Sequence, residues 1–161
     1  MSARAAWRLE QLGFSDVYDY VAGKIDWFAN GLAPQGNAAD VPWAGDLVHA
    51  DTPTCAPDER VEEVRRRALA SGHDLCVVVN DERIVLGLLR GDALSKNEAA
   101  AGEVMELGPK TTRPHKAVEK LLAARSNHGV KCWIVSTSHG KLLGLLLRVD
   151  AERACEEKRM H

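Results

Sequence analysis

Slid along itself by 57 residues, the chain meets itself again without a gap. Gly72 falls on Gly129, Gly87 on Gly144, Thr54 on Thr111 and Pro57 on Pro114, and Val61-Glu62 falls on Val118-Glu119. Val78 meets Val135, and Leu86-Gly87-Leu88-Leu89 meets Leu143-Gly144-Leu145-Leu146. Chance rarely keeps glycines, a proline and an apolar pattern in step together, so residues 46–94 and 103–154 read as one supersecondary unit written twice. Two copies predict a pair related by an approximate twofold axis rather than a solenoid.

Each copy has the same internal order. After Thr-x-x-Pro, apolar residues recur at helical spacing: Val61, Val64, Ala68 and Leu69 in the first copy, Val118, Leu121 and Leu122 in the second. Gly72 or Gly129 then stops the helix. The runs Leu75–Val79 and Cys132–Val135 predict buried strands, because they are short, apolar and rich in β-branched residues. Polar turns follow at Asn80–Arg83 and Ser136–Gly140, and the runs 84–89 and 142–147 close two hairpins. Asp92 and Asp150 open further helical sequence, with residues 95–102 read as a helix joining the copies. The unit is helix, strand, turn, strand, helix, and the fold class is α/β (α+β).

This order, with Gly-apolar-apolar-x-x-x-Asp leaving the last strand, resembles a tandem pair of CBS domains, the Bateman module, over roughly residues 43–155. The resemblance divides the chain into a first repeat at 43–97, a second at 98–155 and a tail at 156–161. It implies two sheets packed about a pseudo-twofold axis, with clefts that in many members bind AMP, ADP, ATP or an adenosyl compound. It also implies a homodimer formed through the helices.

The family's nucleotide mark is Gly-x-x-Thr/Ser-x-x-Asp, whose carboxylate accepts from the ribose diol. The second copy reads Gly144-Leu145-Leu146-Leu147-Arg148-Val149-Asp150, keeping the Asp and replacing the hydroxyl residue with Leu147. The first reads Gly87-Leu88-Leu89-Arg90-Gly91-Asp92-Ala93, with Ala93 at the Asp position and Arg90 at the hydroxyl position. The candidate ligand set is therefore Asp150, Thr111 and Lys131 for an adenosine moiety, with Arg148 and Arg90 for phosphate. A plainer role for Asp150 is to cap the final helix, and that alternative stays open.

Ahead of the repeats, residues 4–12 and 24–32 read as short helices, and 16–21, with two tyrosines in alternation, as a strand. The string from Arg8 through Leu12-Gly13-Phe14, Val17-Tyr18-Asp19-Tyr20-Val21 and Gly23-Lys24 to Asp26-Trp27 is similar to the C-terminal end of a rhodanese-like domain. That family needs a cysteine in an upstream loop, and the first cysteine here is Cys55, so residues 1–35 are expected to be a packed arm without sulfur-transfer chemistry. Residues 36–42 read as a linker.

The net charge of −2 gives no basic face for nucleic acid, and Arg65-Arg66-Arg67 follows Glu62-Glu63 as a solvated helix face would. No apolar stretch approaches a membrane span and no signal-like segment is present, so a cytoplasmic protein without membrane contact is expected. The four cysteines lack C-x-x-C spacing and read as reduced thiols. The six histidines show no metal-ligand spacing, and His115, at a helix start, is expected to be exposed. No nucleophile–base set or paired carboxylates point to an enzyme. Two functions stand side by side: a regulatory module whose second-repeat cleft binds an adenine nucleotide and modulates a protein partner, and a ligand-free dimerisation scaffold.

Overall fold

The computed structural model describes residues 2–18, 20, 23–29, 41–124 and 127–159. The body consists of two sheets related by the 57-residue offset. The first has strand order β1 (Thr54–Cys55), β2 (Leu75–Val79), β3 (Val85–Arg90), β4 (Glu106–Leu107), and the second β5 (Thr111–Thr112), β6 (Cys132–Ser136), β7 (Leu142–Leu147). Helix α3 (Val61–Ala70) crosses from β1 to β2, which pair in parallel, and α5 (Val118–Ala123) does the same between β5 and β6. Both hairpins slip register at the same place, between Val78 and Val79 and between Val135 and Ser136.

Strand alternation sorts the apolar side chains into three layers. Leu75, Val77 and Leu88 face Ile134, Leu142 and Leu145 between the sheets. On the outer faces, Cys76, Val78 and Leu89 pack against Val64 of α3, and Trp133, Val135 and Leu146 against Val118 and Leu121 of α5 and Ala151 of α6 (Arg148–Arg159). The hairpins also meet each other on the axis. Ile84 bridges its own repeat-mate Lys141, Val85 N–H donates to the Gly140 carbonyl at 3.0 Å, and Leu142 N–H donates to Arg83 at 2.8 Å.

The segments leading into each copy are exchanged. Trp43 bridges Ala117, and Ala44 N–H donates to Lys116, so the lead-in to the first copy packs on the second. Arg60 bridges Ala100, and Ala101 N–H donates to Glu59, so the lead-in to the second copy packs on the first. Ala44 and Ala101 are fully buried in the outer core of the copy each is lent to. A glycine permits each close approach: a Cβ on Gly45 would sit 2.8 Å from Pro114 Cβ, and one on Gly102 3.1 Å from Pro57 Cβ.

Several local expectations change. The sequence 95–102 is not one helix: Gly91–Ser95 is a 3-10 turn, Asn97 and Glu98 form a turn, and α4 covers Ala101–Val104. The reason is that Val61 N–H and Glu62 N–H, at the start of α3, take the Ala99 and Asn97 carbonyls as acceptors. In the arm, α1 (Ser2–Gln11) and α2 (Gly23–Ala29) form, but Asp16–Tyr18 and Tyr20 are not in a strand, since no neighbouring strand offers them a ladder; Asp19 and Val21 lie outside the described residues. Tyr20 instead meets the Trp27 ring edge-on at 5.2 Å and donates its hydroxyl to Asp26. Trp7, Leu12, Phe14 and Tyr18 stay exposed. The linker sequence through Asp40, the end of the second arm helix beyond Ala29, and the last two tail residues also lie outside the described residues.

His115 is half-buried rather than exposed, with a buried Nδ1. Arg65, Arg66 and Arg67 lie on an exposed helix face, from which Arg67 also bridges Glu59 at 2.8 Å and donates to the Thr54 carbonyl at 3.0 Å. No helix among the described residues is long and apolar enough to cross a membrane.

Candidate functional site

A cavity of about 750 Å³ opens between the two copies. Its apolar walls come from both copies: Leu75 and Leu88 from the first sheet, Ile134 from the second and Val130 from the turn before β6. Three cations reach it, each placed by a strand end: Arg90 where β3 finishes, Lys110 just before β5 and Lys131 just before β6. Two carboxylates share the rim. Glu106 on β4 accepts from Arg90 Nη2 at 2.8 Å and from Nε at 3.0 Å, both on one oxygen. Asp74 stands 3.9 Å from Lys131, and both of these side chains are more than three-quarters exposed. Asp74 and Lys131 are repeat-mates, so the cavity straddles the pseudo-twofold axis.

The wall at residues 127–131 is held by Arg148. Its Nε donates to the Val130 carbonyl at 2.6 Å and its Nη2 to the Asn127 carbonyl at 2.5 Å, while the guanidinium lies 5.3 Å from the centre of the Trp133 ring. Asn127 is buried, donates to the Leu121 carbonyl at 2.9 Å and accepts from Lys110 Nζ at 3.2 Å. Gly129 turns the chain there with φ of 76°.

Of the five candidate residues, the structure brings Arg90 and Lys131 together at the cavity; Thr111, Arg148 and Asp150 do not line it. Arg148 serves the wall, as above. Thr111 pairs with Ile134 on β5, where its hydroxyl accepts from Arg113 at 3.4 Å, while Arg113 donates to the fully buried Ser136 hydroxyl at 2.6 Å. Asp150 sits in the first turn of α6, with His49 Nε2 at 2.7 Å from one carboxylate oxygen and Arg153 Nη2 at 2.5 Å from the other.

The backbone explains the separation of Thr111 from Asp150. Thr111, Ile134, Leu145 and His49 form one row across the second sheet. Three strand spacings, about 14 Å, therefore separate Thr111 from the His49 edge that holds Asp150.

Lys110, Asn127, His128 and Glu106 are cavity residues that sequence reasoning missed. A signal was present in the offset: Lys110, Asn127 and His128 fall on Pro53, Ala70 and Ser71, so polar and charged groups appear in one copy where the other has none that ionises. Cys132 also lines the cavity, but burial foremost, with Asp74 adding to it, raises its thiol pKa, which removes it as a nucleophile. Apolar walls with cations at the rim suit a flat ring system carrying an anionic group.

Solved structures share the fold of the two repeats. A structure of CBSX2 in complex with AMP superposes with a TM-score of 0.61 at 17% identity, over 71% of this chain and 97% of that one. The CBS domain pair of protein MJ0100, in complex with 5′-methylthioadenosine and S-adenosyl-L-methionine, gives 0.62 at 15% identity, over 73% and 98%. This chain has the fold of a tandem CBS-domain pair. The cytosolic domain of the Mg2+ channel MgtE in complex with ATP also matches, at 0.62 and 20% identity, over 72% of this chain and half of that one. No protein-family model and no curated protein matches the sequence. These identities carry the fold of the CBS pair and leave its ligand to be argued from the cavity.

Proposed function

We propose that this CBS pair is a regulatory module that binds an adenine nucleotide in the cleft reached by Arg90, Lys110 and Lys131, and that binding alters its association with a protein partner or a second copy of itself. The cleft itself carries the reading: at about 750 Å³ it lies within the roughly 300–1,000 Å³ range of ligand pockets, with apolar walls for a base and cations for phosphate. Support comes from structures of the same fold in complex with AMP, ATP and adenosyl compounds. The module has no catalytic role in this reading, and the N-terminal arm, with its similarity to the end of a rhodanese-like domain, is an accessory to it.

A thermal-shift titration with AMP, ADP, ATP, 5′-methylthioadenosine and S-adenosylmethionine tests it. Ligand at 100 times its Kd adds about 2.7 kcal/mol to stability. A shift that Lys131→Ala removes and Asp150→Ala keeps supports binding in this cleft. Absence of a shift from every compound at millimolar concentration supports the other reading, a dimerisation scaffold without a nucleotide. That second reading draws on Asp150, whose two carboxylate oxygens are already engaged by His49 and Arg153.

A further inference from the structure

Arginines in this body differ in how firmly they are held. Arg148 donates to two main-chain carbonyls and Arg113 to a buried hydroxyl. Neither can leave without giving up hydrogen bonds to part-buried acceptors. Arg90 is different. Its partner Glu106 is half exposed, Arg90 itself is 61% exposed, and a pair so placed exchanges readily with other anions. Both groups line the cleft, and Arg90 stands at the end of β3 with extended backbone, its fork directed to a single carboxylate oxygen.

We propose that Glu106 is the internal counter-anion of the cleft: it holds Arg90 while no nucleotide is bound, and a ligand phosphate displaces it and takes its place on Arg90. This rests on the nucleotide reading above and narrows it to a phosphate-bearing adenine nucleotide. A phosphate offers the guanidinium fork two oxygens where Glu106 uses one, and it meets Lys110 and Lys131 on the same rim. An uncharged adenosyl thioether has nothing to exchange for Glu106. A sulfonium compound brings a positive charge to a rim where three cations face two carboxylates, and it offers Arg90 no anion. The chain restricts this device to one side of the axis: at the twin positions Leu147 stands for Arg90, His49 for Glu106 and Pro53 for Lys110.

Exchange also has a structural consequence. Glu106 lies on β4, opposite Leu88 of β3, in the lead-in that the second copy lends to the first. A phosphate on Arg90 leaves the Glu106 carboxylate facing like charge, which loosens that strand's hold on the cleft.

The experiment is calorimetric titration of wild type, Glu106→Gln, Arg90→Met and the double variant with ATP, AMP, 5′-methylthioadenosine and S-adenosylmethionine. Both side chains are exposed enough for all variants to fold, which unchanged thermal melts of the unliganded proteins check. ATP binds tightest in wild type, and Glu106→Gln tightens it about fivefold, the upper worth of an exposed pair. Arg90→Met weakens ATP by roughly tenfold or more. On the Arg90→Met background the tightening by Glu106→Gln disappears, which separates competition for Arg90 from a mere change of field.

If 5′-methylthioadenosine binds as well as ATP, or the tightening persists without Arg90, or Glu106→Gln leaves ATP unaffected, the role of Glu106 is overturned while the nucleotide cleft stands. If no adenine compound binds, both fall.

Discussion

The two copies share their hairpins and their exchanged lead-ins and differ where side chains reach the cleft. Several main-chain devices in one have their mates in the other: the hairpin register slip, the borrowed alanine, the glycine beneath the lead-in, the bridge to the loop after Thr-x-x-Pro. At the cleft, however, Arg90, Gly91 and Glu106 stand opposite Leu147, Arg148 and His49. The duplication is therefore kept by packing, which tolerates little change in a close-packed interior, and lost at the rim, where packing asks for little.

The largest expected effect tests how far the backbone equivalence goes. Gly144 has φ of 149°, and a Cβ there would lie 2.2 Å from the His49 carbonyl oxygen, which accepts from Leu145 N–H. A main-chain carbonyl in a ladder cannot swing aside. At Gly87 the obstruction is the Met105 side chain, whose Sδ, 2.3 Å from the added Cβ, can rotate away, while its Cβ at 2.9 Å needs a small shift of the lead-in. Gly144→Ala should cost about 4 kcal/mol or more by urea unfolding. Gly87→Ala should cost about 1–3 kcal/mol. Equal costs would mean that the two lead-ins are held alike and that the φ difference is immaterial.

A smaller effect separates the two arginines. Arg148→Ala strands the Val130 and Asn127 carbonyls and removes the contact with Trp133, so a loss of about 2–4 kcal/mol is expected, together with weaker nucleotide binding through the loosened 127–131 wall. Arg148→Lys should recover little, because an ammonium cannot serve two carbonyls as the planar fork does. Arg90→Ala should change stability by less than about 1 kcal/mol, its partner being half exposed. A reversed order of the two in chemical denaturation would place the structural arginine in the other copy.

How much of this was legible follows from the kind of information each feature carries. The offset needed only glycines and apolar spacing, both imposed by the backbone, so strands, hairpins and the α/β class could be read directly. Exchange of the lead-ins could not, because the same residues at the same spacing serve a segment packed on its own copy or on the other. Arg90 was read from the hydroxyl position of the family's mark and Lys131 from its place after Gly129, and both lie at strand ends that reach the cleft. Asp150 was read from the family's mark and Thr111 from the entry strand, and three strand spacings across the second sheet set them apart. Arg148 looked like a phosphate ligand because charge is visible in a sequence and the carbonyls that claim it are not. The strand read at 16–21 had alternation, but its described residues meet no neighbouring strand among the described residues.

The smallest effects bear on the twins His49 and Glu106. Each sits on a borrowed edge segment and pairs with a charged group near the end of its sheet, His49 with Asp150 at 2.7 Å and Glu106 with Arg90 at 2.8 Å. Both His49→Gln and Glu106→Gln should therefore cost less than about 1 kcal/mol of stability, since His49 and Glu106 are each about half exposed. Binding separates them. Glu106→Gln changes nucleotide affinity because Arg90 faces the cavity, whereas His49→Gln, and Asp150→Ala with it, should leave affinity within about twofold, as expected of distant sites without shared partners. If Asp150→Ala instead abolished binding, the carboxylate would be holding a ligand at the His49 edge. The functional side of the molecule would then be the one where Leu147 and Arg148 replace Arg90 and Gly91, and the asymmetry between the copies would run the opposite way.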